Sequence, residues 1–146
     1  MIKYAHGLEM LALVKKDFFF LIDLLEKNRV IHQGSQERNY HIFYQIIYAS
    51  TDEDLAKYCL LTRTAHDYGF LSKGVAHVDR IDDHEEYQMT LDAIKILGFT
   101  PEEHEQMFKI TAAILNFSNM KFKQKPRDEQ AEVEDPAGKE IISFIY

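Results

Sequence analysis

Residues 37–47 read Glu-Arg-Asn-Tyr-His-Ile-Phe-Tyr-Gln-Ile-Ile, and this run constrains the fold more than any other part of the chain. On a helix, Tyr40, Phe43, Tyr44 and Ile47 fall at i, i+3, i+4 and i+7 and form one apolar face. Ile42 and Ile46 lie four apart on a different face. A helix that is apolar nearly all round is buried nearly all round, so it needs neighbours on several sides. The four face residues therefore mark a buried packing helix, and Ser35 is placed to cap it. A chain of 146 residues buries roughly 70% of its unfolded surface when it closes on itself.

The other predicted elements are helices with single apolar stripes. Thr51 and Asp54 open a short one that runs through Leu55, Tyr58 and Cys59. Asp82-Asp83-His84-Glu85 opens another, with acids favourably placed against the positive end of the helix dipole. It carries Tyr87, Met89, Leu91, Ile94 and Leu97 and stops at Gly98, a left-handed cap. Thr100-Pro101-Glu102-Glu103 spells a capping box with proline at the first helical position. Met107, Ile110, Thr111 and Ile114 then follow on one face at three- and four-residue spacing. Residues 62–80 read as loop with a turn or two of helix. Met120–Lys125 alternates as a short edge strand, its lysines discouraging stray pairing, and Pro126 ends it. The fold class is mostly α, with one or two short β-strands.

Composition narrows the chemistry. A net charge of −7 disfavours binding to nucleic acid or to an anionic membrane. The apolar runs Met10–Val14 and Phe18–Ile22 are cut by charges and match neither a signal peptide nor a membrane span. Cys59 is the single cysteine, which excludes an intrachain disulfide and fits a reducing, cytoplasmic setting. It reads as a small buried hydrophobe. Ala137–Glu140 imitates the end of a P-loop, but Val133 stands where the first glycine is needed, and Glu140 replaces the hydroxyl that would bind magnesium. His84 and His104 each sit among acids, yet without a His-x-x-x-His pair they read as solvated helix starts, not metal ligands. His41 and His66 have no neighbouring nucleophile and read as structural. No catalytic, cofactor-binding or metal-binding residue is expected.

One segment carries a charge pattern. Lys121, Lys123, Lys125 and Arg127 precede Asp128, Glu129, Glu132, Glu134 and Asp135. The pattern fits a solvated edge with a flexible acidic loop first, and a docking loop for a charged protein surface second.

Two stretches resemble a known family. Leu24–Ile46, "LLEKNRVIHQGSQERNYHIFYQI", is similar to the myosin motor domain just after its switch I, where the family pattern is close to LLEKSRV…GERNYHIFYQ. Ile81–Glu132, "IDDHEEYQMTLDAIKILGFTPEEHEQMFKITAAILNFSNMKFKQKPRDEQAE", resembles the continuation through the upper 50-kDa subdomain. Its "MKFKQKPRDEQAE" looks like muscle-type, class II heavy chains, although Pro126 departs from the polar residue usual there. The resemblance covers residues 23–135. Residues 1–22, helix-like, and 136–146 diverge from the pattern and are expected to be foreign sequence joined to a motor segment.

The resemblance implies a helical fragment of the P-loop motor fold. It implies an ATP-driven parent that moves on actin filaments and needs ATP and magnesium, with the remainder of a heavy chain as the other partner and muscle-type myosin filaments as the setting. The family's P-loop, switch I and switch II motifs do not occur in this sequence, so the chain alone is expected not to hydrolyse ATP. Lys121, Lys123, Lys125, Arg127, Asp128 and Glu129 correspond to a loop bordering the actin-facing surface. The surplus apolar surface of residues 37–47 is then expected to be covered by motor segments outside this chain, leaving part of it exposed here. Two other readings stand beside this one. The chain could be a non-catalytic helical module that offers the apolar faces of residues 8–25 and 40–47 to a partner helix or a second copy, or a truncated product with no activity of its own.

Overall fold

The run that opens the sequence argument becomes a helix only from His41 onward. A computed structural model describes residues 26–60, 62–124 and 131–134. Among these, α1 spans Asn28–Ile31, α2 His41–Ala49, α3 Asp52–Lys57, α4 Asp83–Ile96 and α5 Pro101–Phe117. A 3-10 turn covers Ala65–Asp67, and strands β1 (Phe122–Gln124) and β2 (Ala131–Val133) follow. The segment 1–22, the tail 136–146 and the apolar face at 8–25, singled out in the sequence, lie outside the described residues.

Ser35 does not cap α2, because it sits in a turn closed by the Glu37 N–H on the Gly34 carbonyl at 2.9 Å. The helix starts without a side-chain cap, at an extended Tyr40 with ψ 134°. Asn39 explains the delay. Its Oδ1 accepts the Tyr40 N–H at 2.7 Å, and its Nδ2 donates to the carbonyls of Val30 and Phe70 at 2.9 and 3.0 Å. A short polar side chain that bonds nearby backbone competes with helix formation, and here it ties three separate segments together.

The other helix ends follow their local chemistry. Thr51 accepts the Asp54 N–H, and Asp82 accepts the N–H groups of His84 and Glu85. Thr100 and Glu103 close both arms of the capping box, at 3.2 and 2.8 Å. Gly98, at φ 78°, ends α4 with the paired bonds Phe99 N–H to Ile94 and Gly98 N–H to Lys95.

The core gathers around α2, which lies against α4 and α5. Phe43, Tyr44, Ile46 and Ile47 of α2 are buried with Leu55, Tyr58, Leu60, Ala65, Tyr68 and Leu71, and with Tyr87, Ile94, Phe108, Ala112 and Leu115. Each such large side chain contributes about 1.5–3 kcal/mol on burial. The loop between α3 and α4 seals the bundle by backbone contact. A Cβ on Gly69 would stand 2.4 Å from the Ser118 carbonyl oxygen, so only glycine fits there.

Helix α5 turns only part of its Met107, Ile110, Thr111 and Ile114 stripe inward, with Met107 packed against the core and Thr111 half-buried. Phe108, Ala112, Ala113, Leu115 and Asn116 are buried, whereas Ile110 is 62% and Ile114 37% exposed. The segment is apolar on two faces, so periodicity alone fits either. Phe108 decides between them by meeting Tyr58 and Tyr87 at ring-centroid distances of 6.1 and 5.8 Å.

Candidate functional site

Alternation of polar and apolar residues after α5 produces a two-stranded antiparallel ribbon, with Phe122 opposite Val133, Lys123 opposite Glu132 and Gln124 opposite Ala131. The acidic stretch read as loop therefore supplies the second strand through Ala131–Val133. Its short length and isolated position hid it from periodicity. The Lys123 ammonium and Glu132 carboxylate are 3.7 Å apart across the strands, and the Glu134 N–H donates to the Lys121 carbonyl at 2.8 Å. Lys121 and Lys123 are exposed. Lys125, Arg127, Asp128 and Glu129 lie outside the described residues. On the ribbon's other face Phe122 meets Phe117 of α5 at 5.9 Å. The described ribbon residues expose charge and one aromatic ring.

The packing-helix residues divide. Phe43, Tyr44 and Ile47 are fully enclosed. Tyr40 is half-buried, its hydroxyl donating to the Glu26 carbonyl at 2.8 Å. The expectation that this helix keeps an uncovered face is thus corrected at Phe43, Tyr44, Ile46 and Ile47. The single-stripe helices cover it because α4, α5 and the 58–71 loop approach from different directions. The face at 40–47 is accordingly not open to a partner helix.

A buried charge pair escaped the sequence reading. Arg38 Nη2 lies 2.5 Å from Asp83 Oδ2, with both side chains only 5% exposed. The guanidinium stacks over the Tyr44 ring at 3.8 Å. Tyr44 Oη in turn accepts the Asn39 N–H at 3.1 Å, and burial pushes its phenol pKa up. The partners are 45 residues apart, which no local pattern reveals. The one available hint was the doubled acid at Asp82-Asp83, where one residue caps α4 and the other is spare.

Two single residues also differ from expectation. Cys59 is exposed, not buried, and takes the left-handed position after α3 at φ 53°. Leu60 N–H bonds the Leu55 carbonyl and Cys59 N–H that of Ala56, a pattern that usually recruits glycine. His104 is half-buried, not a solvated helix start, its ring edge-on to Phe108 at 4.4 Å. His41, His66 and His84 are exposed. Among the described residues no group of three or more His, Cys, Asp or Glu side chains could hold a metal ion.

The model of the family described as myosin head (motor domain) matches residues 21–146. The chain belongs to the myosin head family. A mostly helical bundle that ends in a short antiparallel ribbon is a fragment of that motor domain. Within this piece of a myosin head, the described side chains build a packed core and a charged ribbon. No described helix is long and apolar enough to cross a membrane.

Proposed function

We propose that this chain is a structural segment of an actin-based, ATP-driven myosin motor of the muscle type, and that it has no ATPase activity by itself. One observation carries the reading. The family match runs over residues 21–146, yet the sequence contains no Gly-x-x-x-x-Gly-Lys-Ser/Thr. Phosphoryl transfer requires a phosphate cradle, magnesium ligands and a positioned water. ATP and magnesium therefore belong to the complete motor, together with the parent's cytoskeletal, cytoplasmic setting. The muscle-type assignment rests on "MKFKQKPRDEQAE" at 120–132. Lys121, Lys123, Lys125 and Arg127 are the residues suited to an acidic filament surface, with Asp128 and Glu129 on the same loop.

The decisive experiment is titration of the purified chain with a fluorescent ATP analogue in the presence of magnesium. No saturable binding above a denatured control is expected, and saturable binding would overturn the reading. Cosedimentation with actin filaments tests the ribbon. Any binding should fall with salt and with Lys121→Glu and Lys123→Glu, since exposed charges act through screened attraction.

A further inference from the structure

His104 occupies the fourth position of α5, where three helices meet. Its ring lies edge-on to Phe108 at 4.4 Å, and Phe108 joins it to Tyr58 at the end of α3 and Tyr87 of α4. Its Nε2 is buried and has no hydrogen-bond partner. Protonation would place an N–H donor with no acceptor inside this aromatic cluster, a cost of about 1–3 kcal/mol or more for a charged group. It would also set a positive charge near the positive end of α5.

The charged groups facing His104 do not remove that cost. Asp54 of α3 and Glu105 of α5 attract a proton to the ring, whereas Lys95 of α4 repels it. Both carboxylates are already engaged. Asp54 accepts the Thr51 hydroxyl at 2.7 Å and lies 4.0 Å from Lys57, and Glu105 pairs with Lys109 at 2.7 Å. Neither is free to turn toward Nε2 without giving up its own partner.

We propose that His104 is an acid-sensitive latch on the α3–α4–α5 junction, holding the start of α5 against the aromatic cluster when neutral and releasing it when protonated. Burial, the largest influence, holds the imidazole pKa below its ordinary value of 6.5. In the window between the two values the unfolded chain binds more protons than the folded one, so stability rises with pH there. The latch's contribution is complete above pH 6.5 and is lost as pH falls through that value toward the folded-state pKa.

The test is urea unfolding of the full chain and of His104→Phe and His104→Gln at steps from pH 7.5 to 5.0. Dividing each variant's unfolding constant by the wild-type constant cancels the shared carboxylate titrations. That ratio should drop by at least about threefold on acidification, because the wild type alone carries the histidine penalty. A ratio independent of pH would overturn the latch. Should neither variant fold, the His104 ring titration followed by NMR in the wild-type chain decides. A midpoint below 6.5 supports the latch, and a midpoint at or above it refutes it.

Discussion

Arg38 and Asp83 show how one pair of residues fixes a join that no helix ending could. Each is charged, each is 5% exposed, and one short contact links the segment before α2 to the first turn of α4. Arg38 Nε and Nη1 and Asp83 Oδ1 are buried with no partner. The pair therefore fixes one specific contact while both charged groups carry the desolvation cost of burial. Removing one partner leaves a lone buried charge. Asp83→Ala should cost about 3–5 kcal/mol, and Arg38→Met combined with Asp83→Leu should cost clearly less than the single change. A double-mutant cycle by chemical denaturation measures this, and equal losses would show that the ion pair itself is strongly stabilising. Cys59 teaches the complementary lesson. Its side chain is exposed, and its placement follows from backbone geometry, with φ at 53° to close the end of α3.

At the level of elements, α2 is held at its C-terminal end by a side chain from well beyond it. Arg63 donates from Nη1 to the carbonyls of Ile47 and Tyr48 at 3.4 and 3.3 Å, and from Nη2 to that of Ser50 at 2.9 Å. A cation at this end meets the negative pole of the helix and satisfies carbonyls that have no partner within it. Its further contact with exposed Asp52 is solvent-screened and adds little. Arg63→Met should therefore lower stability by about 1 kcal/mol. Loss of amide-exchange protection should concentrate in the last turn of α2, and uniform loss across the chain would refute a local capping role. The helix starts of α3, α4 and α5 were legible because Thr51, Asp82 and Thr100 act within three residues of themselves. The start of α2 was not, because Asn39 reaches out to Val30 and Phe70.

For the whole molecule, the sequence marks two apolar surfaces, and packing reverses their expected fates. The α2 surface is enclosed. Instead Ile110, at 62% exposed, continues through Ile114 to Phe117 and Phe122, each 48% exposed, as a surface ridge. Ile47→Ala should cost about 2–5 kcal/mol by opening the core. Ile110→Lys with Ile114→Lys should change stability by only about 0.5 kcal/mol per site while weakening binding of an apolar dye. Cooperative denaturation and dye titration read both effects, and a large stability loss in the lysine variant would mean the ridge is covered. Helices α2 to α5, most of their caps, the Gly98 stop, the β1 strand and the family resemblance were determined by the chain's own order of residues, since each depends on neighbours a few positions apart. Which face of α5 turns inward, the Arg38–Asp83 pair, the β2 strand and the burial of His104 were decided only by tertiary structure. They depend on residues tens of positions apart competing for one interior, and a chain with two apolar faces and one core leaves that choice to packing.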